Sequence, residues 1–494
     1  MTSELRLLAA YENTGQAAPI EHTFDTLLTL LGVRHDILPY GRLRATVFGV
    51  FHAVLTYGST APDLPDTLPH IHIQEGTLFG SGYGTRSSLP SGPPETVRGV
   101  PFIFCGVRPE GDGTPVPGTG KALLEGDIVA SSFYLLSQYG EAVEAMSRNS
   151  DWRVRAEESY LGRYQLLSRP IVNEYVELLQ QTLRDVGVAV DSSRPWGKHE
   201  FAVCLTHDID GLEKFRVIPP LRTLAHIVTH PRPDKAKRAL RLLIDYALVG
   251  LGVRPDPYLG GFQRMMSMDQ AAGMPATYFF LADGSTYSLA DQGLRAVRAV
   301  QRAGGEVALH PGFGTARDFD KLRRQAEVLS GACGEPIRGS RQHYLALDVN
   351  RTWSGLEQAA IEYDSTLGYN EAEGFRCGVC HPYRPFDVSR GVAVNLWEIP
   401  LQVMDATLFV GQALSEGDAW ERVRDLIDTV ERYRGVLVVL WHNAAFYEAE
   451  TPDALSVYRK LLDELGRRNC TCLTASDIVR MYTANVVTED RASA

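Results

Sequence analysis

The chain has 494 residues, of which 44% are hydrophobic and 22% charged, and its 49 Lys and Arg against 60 Asp and Glu leave a net charge of −11. This is the composition of a soluble globular protein long enough for roughly two to four domains. The negative balance excludes a general nucleic-acid binder, which needs a basic field to collect phosphates. No apolar run reaches the roughly 18 residues of a transmembrane helix, so no membrane span is expected.

The opening MTSELRLLAAYENTGQ has no apolar core of signal-peptide type, and the seven cysteines are odd in number and scattered. Together they suggest reduced thiols and a cytoplasmic location. Within residues 1 to about 192, LPHIHIQ (68–74) alternates like a strand and GSGYGTRSSLPSGPPE (80–95) has loop composition. DIVASSFYLLSQYGEAVEAM (127–146) and PIVNEYVELLQQTLRDVG (170–187) carry apolar residues at helical spacing. DSSRPWGKHE (191–200) reads as a linker, which divides an α/β domain at 1–192 from a second unit at 193–485. The final stretch, 486–494, is expected as a disordered tail.

After the linker, strands alternate with amphipathic helices. The predicted strands are FAVCLT (201–206), ATYFFL (276–281), EVALH (306–310), IEYDS (361–365), LWEIPLQV (396–403), VLVVLW (436–441) and CTCLT (470–474). Apolar strands separated by helices such as GLRAVRAVQRAGG (293–305) predict a parallel α/β architecture, here a (β/α) barrel of about seven strands. The stretch 211–255 interrupts the alternation with nine Lys or Arg against three acids. It reads either as a solvated helical insertion or as a surface that guides an anionic substrate or touches a membrane.

Polar residues at the C-terminal ends of barrel strands point into the site. Four predicted strands end that way, in THDID (206–210), LHPGFGT (309–315), YDST (363–366) and LWHN (440–443), and RGSRQHYL (338–345) adds Arg341, His343 and Tyr344. One such carboxylate alone would be a turn or capping residue. Four ends bearing carboxylates and imidazoles suggest a hydrolytic metal site.

In these motifs residues 196–485 resemble the polysaccharide deacetylases, the NodB-homology or carbohydrate esterase family 4 group, in a divergent branch with an extra N-terminal domain. The family's first motif, T-F-D-D at a strand end, is similar to Thr206-His207-Asp208-Ile209-Asp210, and its second, H-[ST]-x-x-H, is met in part by His310. R-x-x-Y is met by Arg341-Gln342-His343-Tyr344, an Asp-Ser pair by Asp364-Ser365, and L-x-H by Leu440-Trp441-His442. The resemblance implies an irregular (β/α) barrel and hydrolysis of an N- or O-acetyl group with a divalent metal, zinc foremost. It makes Asp208 the general base, Arg341 its partner, a backbone N–H near Tyr344 the oxyanion donor and His442 the general acid.

Two positions depart from the family pattern. Ile209 stands where the family has a metal-binding Asp, and Gly314 stands four residues after His310, where the family has its second histidine. Asp210 is the natural replacement, because residues two apart on a strand share a face. The expected ligands are therefore Asp210, His310 and, nearest in sequence, His207, with His343 as a possible substitute. Glu398 and Asp405 near another strand end read as structural or substrate-contacting.

The expected partner is an acetylated sugar or glycan precursor, and no nucleic acid. A metal-independent amidohydrolase acting on a non-peptide C–N bond, or a non-catalytic glycan-binding protein, are the alternatives. CGVCH (377–381) matches the c-type haem pattern C-x-x-C-H, yet it has no export signal beside it and no second ligand pair except Cys470 and Cys472. It reads as coincidence.

Overall fold

The computed structural model describes residues 5–106, 120–147, 154–191, 195–217, 225, 235–447 and 451–491. Two parallel sheets organise them. The first is built from β1 (Arg6–Tyr11), β2 (Arg34–Pro39), β3 (Ala53–Gly58), β4 (His70–Gln74) and β5 (Lys121–Leu124), in the order 2-1-3-4-5. Helices α1 (Ala17–Leu31) and α2 (Ile171–Asp185) pack together beside it. The expected helix at 127–146 is two helices, Ile128–Leu136 and Tyr139–Ser147, broken where Gln138 takes φ 51°.

The second sheet is a curled half-barrel of nine strands. They are β6 (Phe201–Ile209), β7 (Ala276–Leu281), β8 (Glu306–His310), β9 (Gly339–Ser340), β10 (Tyr363–Asp364), β11 (Trp397–Glu398), β12 (Val403–Met404), β13 (Val436–Leu440) and β14 (Cys470–Cys472). Their order is 11-10-9-8-7-6-13-12, with β14 on the start of β6, and every pairing is parallel. Every residue of β6, β7 and β13 is buried, as expected of strands covered on both faces. The single strand expected at 396–403 is split into β11 and β12. Between them stands Pro400, which has no N–H to give a ladder.

Helix α3 (Lys235–Gly250) occupies the basic region, and Arg222 and Arg232 of that region lie outside the described residues. Helix α4 (Pro257–Ala272) is cleanly delimited. The Asp256 side chain accepts the Tyr258 N–H, proline opens the first turn, and Gly273 closes the last with φ 68°. After α5 (Pro452–Leu465), the last helix, α6, spans Ala475–Arg491. It therefore runs through most of the expected tail, of which 492–494 lie outside the described residues.

CGVCH lies between the helices of the first unit and the start of β13, where the Val172 N–H donates to Gly378 O and the Val436 N–H to Cys380 O. Cys377 and Cys380 are buried, and the Cys380 N–H donates to Asn173 on α2, whose amide also lies 3.0 Å from His381 Nδ1. Tyr383 OH donates to Leu136 O, and Arg376 pairs with Glu141 at 2.7 Å. The motif packs the N-terminal unit on the half-barrel, and among the described residues no metal-ligand cluster includes it.

Candidate metal centre and catalytic cleft

The strand-end residues converge on a cleft of about 460 Å³ at the C-terminal edge of the half-barrel, lined by Asp208, Asp210, His310, His343, Asp405 and His442 among others. Strand periodicity decides what β6 sends there. Thr206 and Asp208 share one face and both meet Arg341, whose Nη1 donates to Thr206 Oγ1 at 2.7 Å and to Asp208 Oδ1 at 3.2 Å. Arg341 is fully buried, and its other donors go to Ser365, to the backbone oxygen and to Oγ, each at 2.8 Å. Its guanidinium also lies 4.4 Å from the centre of the Phe279 ring. The Asp-Ser motif thus serves this arginine through its serine.

His207 points the other way, which corrects its expected place among the metal ligands. Its Nδ1 lies 2.8 Å from Trp441 O, and its Nε2 lies 3.1 Å from Asp269 of α4. Asp269 also accepts from Tyr278 at 2.8 Å and from Tyr458 at 2.5 Å. A buried imidazole with both nitrogens engaged has no lone pair for the cleft. His207 is a structural residue on the outer face of the strand.

The third histidine of the cleft is His343. One ligand atom from each of Asp210, His310 and His343 lies within 4.8 Å of the others. Asp210 Oδ1 is 3.2 Å from His310 Nε2 and 3.8 Å from His343 Nε2, near the edge of about 3.3 Å in a tetrahedron of Zn–N and Zn–O bonds. Asp210 Oδ1 is itself buried without a hydrogen bond. A carboxylate oxygen without a hydrogen bond among imidazole nitrogens fits the donor set of a divalent metal.

Second contacts set the tautomer. His310 Nδ1 donates to Arg341 O at 2.7 Å, leaving Nε2 as the free ligand atom. Burial and the neighbouring His310 lower the His343 pKa, which favours its neutral form. For His310, burial opposes protonation, but Asp208 and Asp210 outweigh it and raise its pKa. Burial likewise opposes ionising Asp210, yet His310, His442 and His343 hold it well below the usual carboxylate range.

Gly314 sits at φ 92°, a left-handed backbone that a histidine adopts only with strain. Near Asp210 and His310 it is His343, from the end of the next strand, that supplies the further imidazole. Tyr344 (φ 60°) and Leu345 (φ 50°) are also left-handed, and this turn stacks Tyr344 on the His343 ring at 3.9 Å. The Tyr344 side chain is 55% exposed at the cleft, with Phe313 edge-on at 5.9 Å.

The residue that sequence reading undervalued is Asp405, just past β12. Its Oδ1 lies 2.6 Å from His442 Nδ1, and its Oδ2 accepts the His442 backbone N–H at 3.1 Å. Burial would lower the pKa of His442, but Asp405, then Asp210 and Asp208, raise it to about 10. His442 Nε2 faces Asp210 Oδ2 at 3.8 Å. Beneath the site Asp364 and Glu398 are neighbours in register and both fully buried. Burial raises Asp364 to about 7, and burial with Asp364 alongside raises Glu398 well above the carboxylate range. Trp353 Nε1 and the Leu367 N–H donate to Glu398, which makes it structural.

No curated protein sequence matches the chain. Among solved structures it is similar to a presumed polysaccharide deacetylase from Mycobacterium smegmatis, at 21% identity over 58% of this chain and 91% of that one, with a TM-score of 0.40. A presumed polysaccharide deacetylase from Pseudomonas aeruginosa PAO1 is 15% identical over 60% and 96%, with a TM-score of 0.42. Puue allantoinase is 17% identical over 60% and 96%, with a TM-score of 0.41. Residues 11–187, which hold β2 to β5 of the first sheet with α1 and α2 but only the last residue of β1, match a family of unknown function, DUF7033.

Proposed function

We propose that the chain is a metal-dependent hydrolase that removes an N- or O-acetyl group from a carbohydrate, such as a glycan precursor. One observation carries this reading. An arginine-held carboxylate, Asp208, and a carboxylate-held imidazole, His442, flank the Asp210–His310–His343 cluster in one cleft. Binding alone needs no such set. Acyl transfer to water needs a base, a charge-stabilising centre and an acid together.

The chemistry divides among these residues. Asp210, His310 and His343 would hold the metal, zinc by its preference for nitrogen and oxygen donors at this spacing. When bound, the ion makes water more acidic and polarises the acyl oxygen. Asp208, oriented by Arg341, takes the proton of the attacking water. A backbone N–H near Tyr344 would receive the oxyanion. His442, raised to about 10 by Asp405 against the effect of burial, carries a proton at neutral pH and delivers it to the leaving amine or alkoxide. The exposed Tyr344 and Phe313 rings offer a sugar apolar faces at the rim.

The test is acetate release from a panel of N- and O-acetylated sugars, with Asp208→Ala as the control. Release that Asp208→Ala abolishes supports the hydrolase. Saturable sugar binding without turnover would replace it with a glycan-binding protein.

A further inference from the structure

Helix α3 wears its polarity inside out. Its inner side packs Leu242 on Tyr447, and Asp245 accepts from Tyr447 OH at 3.0 Å and from Arg254 at 3.1 Å. Its outer side carries Leu240, Leu243 and Ile244, continued by Leu251, with exposures of 61%, 48%, 47% and 76%. At 100° per residue these four fall within one stripe, and Ala247 lies between them. Val253, 66% exposed, follows just beyond. A helix that turns its leucines to water and its acid inward is not built for water.

The border of the stripe identifies what covers it. Lys237 and Arg241, one turn apart, run along one edge, and residues 235–254 hold five Lys or Arg against the single acid Asp245. That excess stands out on a chain of net charge −11. A second copy docked antiparallel through the same stripe would set Lys237 and Arg241 against their own kind, and one docked parallel would offer them no acid across the contact, since Asp245 is turned inward. The stripe itself is aliphatic, and the one exposed aromatic ring of the helix, Tyr246 (49% exposed), lies at its other border edge-on to Phe215, where an amphipathic ring suits the level of lipid headgroups. A straight aliphatic stripe with a cationic border suits a flat surface that is apolar beneath and anionic above.

We propose that α3 docks this protein on anionic lipid surfaces, lying in the interface with Leu240, Leu243, Ile244 and Leu251 inserted and Lys237 and Arg241 at the headgroups. The docked face adjoins the cleft. Tyr447, on which Leu242 packs, stands five residues after His442, and Tyr258, whose ring together with that of Tyr447 flanks the Lys214 ammonium, lines the cleft. No helix among the described residues is long and apolar enough to cross a membrane, so the contact is peripheral.

Vesicle flotation of the full chain tests this, with phosphatidylcholine vesicles compared with the same vesicles containing phosphatidylglycerol. Binding only to the phosphatidylglycerol vesicles is expected, falling as salt is raised, and at least about tenfold weaker in Leu243→Ser/Leu251→Ser and in Lys237→Glu. These positions are exposed, so the variants should keep the wild-type circular dichroism and melting temperature. As an independent reading, Leu243→Trp should show a blue-shifted emission on anionic vesicles alone. No flotation, equal flotation with both vesicles, or an unshifted tryptophan would overturn the proposal. So would a dimer in solution that Leu243→Ser/Leu251→Ser dissolves without any vesicle binding.

Discussion

Replacing Asp405 by Asn removes one negative charge 2.6 Å from His442 Nδ1 and changes little else in shape. The amide oxygen can still accept from Nδ1, while the His442 backbone N–H loses its acceptor at 3.1 Å. Burial works against the protonated imidazole and Asp405 is the largest favourable influence on it, so the value of about 10 must fall. An opposite charge at this range is worth about 1–3 pKa units, or about 1.4–4 kcal/mol at 1.36 kcal/mol per unit. In the proposed reaction His442 is the acid and must be protonated, so activity should be lost as pH rises through its pKa. The kcat/KM profile of Asp405→Asn should therefore lose its basic limb about 1–3 units earlier than the wild type. Stability follows the same sign. The raised pKa of His442 contributes stability in full below 6.5, and that contribution is lost as pH rises towards about 10. The melting-temperature advantage of the wild type over Asp405→Asn should shrink across that window. A basic limb at unchanged pH, with only kcat lowered, would refute the electrostatic role of Asp405 and leave it as a spacer.

Arg341→Lys should lower kcat strongly while nearly sparing KM, because one ammonium cannot meet Asp208, Thr206 and both Ser365 oxygens; steady-state kinetics on the same sugar would show it. Arg341→Ala should also destabilise the fold by about 3–5 kcal/mol in denaturant titration, since it strands a buried carboxylate. His207→Asn should cost about 1–3 kcal/mol through the Asp269 network and leave metal content unchanged, as calorimetry and metal analysis would show. Asp364 is raised by burial from 3.8 to about 7, so the folded state holds a proton that the unfolded state releases, and wild-type stability should fall as pH rises between those values. Asp364→Asn should flatten that part of the melting-temperature profile.

The half-barrel and the gathering of Asp208, Arg341 and His442 at its C-terminal edge were legible because strand-end positions read directly from a two-residue period. The same period that puts Asp208 and Asp210 together carries His207 away from Asp208, and weighting nearness in sequence over that period misassigned it. His343 was visible only as a substitute, since its approach depends on the left-handed turn at Tyr344 and Leu345, which no local composition announces. Asp405 stands 37 residues before His442 and meets it only through the β12–β13 pairing. Strands such as Gly339–Ser340 are too short to show periodicity at all. The break at Gln138 is likewise silent, because both halves of the helix keep apolar spacing.

The central claim is that Asp210, His310 and His343 together hold a divalent ion. Metal content by mass spectrometry, after incubation with zinc and gel filtration, tests it on the wild type beside Asp210→Ala, His310→Ala, His343→Ala and His207→Asn. The account predicts near-stoichiometric zinc in the wild type and in His207→Asn, and loss in the other three. A wild type that retains no metal, or a His343→Ala that keeps zinc while His207→Asn loses it, would contradict it.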